Sequence, residues 1–137
     1  MGLDNGLIVK SDKRKLTRDM LPPSIVYPFE KDYNDGVEII YHRKDWGWRN
    51  EIMNVFGWRF IADYEREFEI NTPDEVKTLI DITASWLDAE RWENEGNSIW
   101  SYDEIRHHLV QDIVNLALIQ AFMENNPDVY LEFYDSY

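Results

Sequence analysis

The sequence predicts an α+β fold, a small and mostly antiparallel sheet packed against about three helices. Three observations predict it. A short apolar run near the start, Leu7-Ile8-Val9, and apolar residues alternating with polar ones at Phe68/Ile70 and at Val129, Leu131 and Phe133 read as strands, the latter with the two-residue period of half-buried ones. Two helix-start signals, Thr72-Pro73-Asp74-Glu75 and Ser101-x-x-Glu104, precede apolar stripes of helical period. The composition, 44% hydrophobic and 15% aromatic, supplies a core for one domain spanning residues 1–137.

The elements follow in order. Leu7-Ile8-Val9 reads as a first strand, and Leu21-Pro22-Pro23 interrupts regular structure after it. Asn34-Asp35-Gly36 is a turn into a second strand, Val37–Tyr41. From about Lys44 to Phe56 a helix is expected, with Trp48, Ile52, Val55 and Phe56 on one stripe and Gly57 as its stop. Phe68 and Ile70 alternate with Glu67 and Glu69 in a short half-exposed strand. The helix capped by Thr72 carries Val76, Leu79, Ile80, Thr83, Trp86 and Leu87 on one face and runs to about Glu90. The helix capped by Ser101 has a broad stripe, Ile105, Leu109, Val110, Ile113, Val114, Leu116, Ala117 and Met123, and is expected to be the most buried element. Val129, Leu131 and Phe133 form a last strand.

Charge is unevenly distributed. Residues 1–62 hold ten Lys/Arg and nine Asp/Glu, a net of +1; residues 63–137 hold four and eighteen, a net of −14. An anionic surface on a folded domain repels nucleic acid and attracts basic surfaces. The basic run Lys10–Arg18 is expected to pair with the acidic half of the same chain. There is no cysteine, which excludes disulfides, a thiol nucleophile and Cys-based zinc sites. No signal peptide or membrane span is expected, and the expected location is the cytoplasm of a host bacterial cell. No cofactor is expected: Gly-rich phosphate loops and nucleophile elbows are absent.

Three groups of residues invite a functional reading. Asp63, Glu65, Glu67 and Glu69 alternate, so a strand would present them on one face roughly 6.6 Å apart. That is close to the spacing of about 6–7 Å between phosphates of a nucleic-acid strand; the plainer reading is a charged edge that discourages aggregation. Asp88, Glu90, Glu93 and Glu95 surround Trp92. An exposed Trp among acids suits an Arg-rich partner, whereas Trp92 and Trp100 could equally cover the end of the core. Among the histidines, His107 and His108 point about 100° apart on a helix and cannot easily share a metal. Arg106 and His107 are expected to face solvent. His42 closes a strand, where binding residues often sit.

Met1-Gly2-Leu3-Asp4 before an apolar strand resembles the start of a family of small uncharacterised phage, prophage and bacterial proteins. Those proteins begin Met-Gly-Leu-Asp-Met-Tyr-Leu and carry a strand ending Tyr-Trp-Arg-Lys. Here Tyr41, Arg43 and Lys44 match, His42 stands for Trp, and Asn5-Gly6 stands for Met-Tyr. The capped helix at Thr72, Tyr102-Asp103 and the Phe133-Tyr134 ending near Ser136 also fit. The resemblance implies an accessory protein of mobile elements, and a shared site if Asp4, Tyr41, Arg43 and Lys44 cluster. An ion pair between Asp4 and Arg43 on adjacent strands would explain the same residues structurally.

Three functional expectations follow. The first is a non-enzymatic acidic accessory protein, a nucleic-acid mimic that inhibits a basic host defence protein such as a CRISPR effector or restriction enzyme. The second is a small enzyme or nucleotide binder built on Asp4, Tyr41, His42, Arg43 and Lys44. The third is a structural homo-oligomer, a homodimer in its simplest form.

Overall fold

A computed structural model describes residues 3–32, 35–57 and 66–136. The fold is α+β. Strand β1 (Asp4–Ser11) is followed by a short 3-10 turn (Arg18–Met20), β2 (Val37–Arg43) and helix α1 (Trp46–Phe56). Then come β3 (Arg66–Ile70), α2 (Pro73–Ser85), α3 (Ala89–Glu95), α4 (Tyr102–Asn125) and β4 (Val129–Ser136). The four strands form one antiparallel sheet in the order β2-β1-β4-β3, so the first and last strands pair at its centre.

Alternation sorts the strand residues onto two faces. Leu7, Val9, Ile40, Phe68, Ile70, Val129, Leu131 and Phe133 share the inner face and are buried. They join Trp48 and Ile52 of α1, Val76 and Leu79 of α2, and Leu109, Leu116 and Ile119 of α4 in one core. Apart from the buried Ile8, the outer face carries polar pairs: the Tyr41 hydroxyl donates to Asp4 (2.6 Å), Tyr134 to Glu38 (2.5 Å), and Lys10 pairs with Glu132 (3.0 Å). Tyr134 on β4 reaches Glu38 on β2 by crossing over Gly6 of β1. A Cβ at Gly6 would lie 2.3 Å from the Glu38 carboxylate and 2.4 Å from the Tyr134 ring. Glycine is what lets this pair close over the central strand.

Burial, outweighing the Tyr134 hydrogen bond that favours the carboxylate, pushes the Glu38 pKa up to about 7. The folded state therefore holds a proton here that the unfolded chain releases. The stabilisation is complete below the ordinary carboxylate value and is lost as pH rises through about 7. Discounted for solvent at the rim, it amounts to about 2 kcal/mol. In urea unfolding across pH 4.5–8, wild type is expected to lose this stability relative to Glu38→Gln. Parallel curves would contradict it.

Several expectations need correction. The helix begun at Thr72 ends at Ser85, because Asp88 starts a separate helix by accepting the Arg91 N–H (3.1 Å). The described residues thus form four α-helices, in line with the α+β fold and the roughly three helices expected. Thr72 caps Glu75 N (3.2 Å), but the Glu75 carboxylate accepts from Asn71 N, one residue earlier than the expected capping box; the box at Ser101 is complete. Val55 is exposed, and Arg49 takes its place on the buried face of α1. On α4 the buried stripe is narrower and displaced. Asp112 and Asn115 lie inside it, while Val110 and Val114 are 46% and 43% exposed. Asn115 is buried because backbone satisfies it: it bonds both backbone groups of Val26 and the carbonyl of Ile39.

Candidate functional site

The acidic helical surface comes first. Residues 73–104 hold nine carboxylates against two bases, Lys77 and Arg91. Both bases are matched internally. Lys77 pairs with Asp81 one turn along α2 (2.5 Å). Arg91 lies over the Trp86 ring (3.8 Å to its centroid) and pairs with Glu51 of α1 (2.6 Å). Glu90 is exposed, as are Glu93, which accepts from the Tyr102 N–H (3.0 Å), and Glu95, which is 3.7 Å from Arg91 Nε. Asp88 is the α3 cap.

Trp92 is not exposed. It is 2% accessible, packs edge-on against Trp86 (5.9 Å between centroids) and donates its indole N–H to the Trp100 carbonyl (2.9 Å). This corrects its reading as a surface anchor; it belongs to the core. The adjoining loop supplies the exposed apolar pair instead, Ile99 at 59% and Trp100 at 42%. Glu93 and Glu95 precede this pair in the chain, and Asp103 and Glu104 follow it. The indole expected at position 92 is thus at position 100, held out by the turn between α3 and α4.

Of the acidic strand row, Asp63 and Glu65 lie outside the described residues, and of Glu67 only the backbone is described. Glu69 is exposed on β3, in register with Glu132 of β4, whose carboxylate takes Lys10. Lys10 and Arg14 pair with Glu132 and Asp128 of the acidic half, as expected, whereas Arg18 pairs with Asp32 (3.0 Å). Asp4 and Arg43 are register partners on β1 and β2, but the Asp4 carboxylate takes the Tyr41 hydroxyl rather than Arg43. Burial and that contact push the Tyr41 pKa up to about 12. Arg43 is exposed, and Lys44 leaves the strand at φ 60° with its N–H on the Leu3 carbonyl (2.7 Å). Two shallow clefts lie at the other end of β1, around Asp12, Lys13, Asp128 and Tyr130 and around Lys10, Arg14, Lys15 and Asp35.

A buried polar cluster occupies the inner face beneath the end of β2. His42 pairs in register with Asn5, so its ring turns inward beneath α4. Its Nδ1 meets Asp45, which precedes α1, and its Nε2 meets Asp112 of α4 (2.6 Å). The ring stacks on Trp48 (4.1 Å, 23° between planes), and the Trp48 indole N–H donates to Thr83 (3.1 Å). Ser98, from the loop after α3, donates to the other Asp45 oxygen. Burial alone would push the His42 pKa down; Asp112, through charge and hydrogen bond, and then Asp45 outweigh it and raise it to about 9. His42 is therefore an imidazolium at neutral pH, clamped between two carboxylates.

His108 stands one helical turn before Asp112 and is exposed. Its Nε2 is 2.9 Å from the Tyr41 carbonyl and 3.7 Å from Asp112, and its ring meets His42 edge-on at 4.6 Å. Arg106 and His107 are exposed, as expected. A second buried pair lies farther along the sheet. Arg49 holds Asp135 with two nitrogens (2.6 and 3.2 Å), and Asn5 adds a third bond (2.6 Å).

The histidine–carboxylate cluster was not anticipated. His108-x-x-x-Asp112, whose i, i+4 residues share a helix face, and His42-x-x-Asp45 are its local signs. The two pairs meet through His42 and Asp112, 70 residues apart.

Comparison with family models, curated proteins and solved structures finds no match. Among the described residues, no helix is long and apolar enough to cross a membrane.

Proposed function

We propose that this chain is a non-enzymatic binding protein that presents its acidic helical surface to a basic, nucleic-acid-binding surface of another protein. The phage-like resemblance suggests the target class: a host defence protein such as a CRISPR effector or restriction enzyme, inhibited by mimicry of its nucleic acid. The observation that carries the reading is the exposed Ile99–Trp100 pair within a stretch of nine carboxylates and two internally matched bases. An aromatic anchor with acids around it suits Arg and Lys through cation–π contact and ion pairing. Long-range attraction would raise the association rate, and salt would weaken it.

The experiment is a pull-down from bacterial lysate on immobilised protein, washed at low and high salt. Wild type is expected to retain a basic nucleic-acid-binding protein at low salt and release it at high salt. Trp100→Ala is expected to weaken capture roughly tenfold or more. Glu90→Gln, Glu95→Gln and Asp103→Asn together should weaken it and flatten its salt dependence. Capture indifferent to salt and to all four substitutions would contradict the reading.

One observation favours a homo-oligomer as the second reading. Val110 and Val114 are exposed one turn apart on α4, a small apolar strip a second copy could cover. A monomeric mass at high protein concentration would remove it.

A further inference from the structure

The geometry points to a divalent transition-metal site formed by His42, Asp112 and His108. The three side chains each offer one ligand atom, and those atoms lie within 4.8 Å of one another. Two imidazole nitrogens and one carboxylate oxygen suit Zn²⁺ and its neighbours rather than Mg²⁺ or Ca²⁺, which take oxygen donors.

Closing the site requires the ligand atoms to draw together from their present separation of up to 4.8 Å. In a tetrahedral zinc site with bonds of about 2.0–2.2 Å, neighbouring ligand atoms lie roughly 3.3 Å apart. His42 Nε2 now stands 2.6 Å from Asp112 Oδ2 and must part slightly, while His108 Nε2 stands 3.7 Å from the other oxygen, Oδ1, so the carboxylate must turn or His108 must swing for both histidines to share one oxygen-bound ion. The His108 side chain is exposed and can make that adjustment. An ion would replace the proton on His42 Nε2, which passes to solvent. His108 would give up the Nε2 proton it directs at the Tyr41 carbonyl and carry its ring proton on Nδ1 instead, a change of tautomer exchanged through solvent.

A second, independent feature supports the site. The other nitrogen of His42 is already held by Asp45, and Ser98 holds Asp45 in turn. A ligating histidine usually donates its second N–H to a carboxylate, which fixes its tautomer and orientation. Stacking on Trp48 fixes the ring plane as well. Three protein ligands with one exposed member leave a fourth position facing solvent, the pattern of open rather than purely structural zinc sites.

The test is titration of the metal-stripped full chain with Zn²⁺, followed calorimetrically and by thermal unfolding, with Co²⁺ as a spectroscopic substitute. One equivalent per chain and a rise in Tm are expected, with a tetrahedral Co²⁺ spectrum and no response to Mg²⁺. His108→Ala removes an exposed ligand without disturbing the core and should weaken Zn²⁺ binding at least tenfold, while the adjacent His107→Ala should leave it unchanged. Equal Zn²⁺ affinity in wild type and His108→Ala, or no Zn²⁺ binding at millimolar concentration, would overturn the assignment. In that case the cluster is a proton-bridged structural clamp alone.

Discussion

A His42→Ala variant is expected to lose about 3–5 kcal/mol of unfolding free energy, measured by urea denaturation of the metal-free protein at neutral pH. The imidazolium lies between Asp45 and Asp112, which are 1% and 3% exposed. Removing it leaves two buried carboxylates facing a gap. The fold must then protonate one of them, admit water or open locally, and each response costs free energy. The ring also covers one face of Trp48, so a cavity adds to the electrostatic loss. The components can be separated. In His42→Ala/Asp112→Asn one orphaned charge is gone, so the double variant should be less destabilised than the sum of the singles. A loss below about 1 kcal/mol for His42→Ala would mean that solvent already reaches the cluster.

Arg49→Met is expected to cost about 3 kcal/mol in the same assay. Methionine preserves most of the apolar stem, so the change isolates the guanidinium. Asp135 is 1% exposed and takes two of its hydrogen bonds from Arg49; the Asn5 amide then remains. This pair ties α1 to both central strands, because Asp135 lies on β4 and Asn5 on β1. Adding Asp135→Asn should restore part of the loss by removing the stranded charge. A single variant within about 0.5 kcal/mol of wild type would show the pair to be a surface contact in energetic terms.

Both clusters explain which parts of the molecule could be read from the sequence. Strand alternation and the caps at Thr72 and Ser101 are local signals, and they placed the sheet and two helix starts correctly. The break between α2 and α3 was hidden because Trp86 and Leu87 continue the apolar stripe, while Asp88, which ends it, looks like one more acid in a charged run. On α4, counting apolar residues put Val110 and Val114 inside. The helix is instead turned so that Asp112 and Asn115 face inward, and their partners, His42, Val26 and Ile39, come from distant chain. Burial of a polar residue depends on a partner, and that partner need not be near in sequence. The exchange of Trp92 for Trp100 has the same origin. Either indole could cap the core, and the bond from the Trp92 N–H to the Trp100 carbonyl fixes which one does.

The acidic surface was legible as charge because composition reports it directly. Its shape was not legible. The turn that exposes Ile99 and Trp100 exists because α3 is short and α4 begins at its own Ser101 box. The pairing of Lys10 and Arg14 with the acidic half leaves the helical acids on α2 and α3 without those cations. That arrangement is what the proposed binding role uses.

The most direct test of that role is competition. The partner captured on the immobilised protein is challenged with duplex DNA and with RNA at constant ionic strength. If the acidic surface occupies a nucleic-acid groove, one of the two displaces the partner in proportion to its own affinity, and Trp100→Ala makes displacement easier. Simultaneous binding of the partner to this protein and to its nucleic acid, with no displacement at saturation, would contradict mimicry.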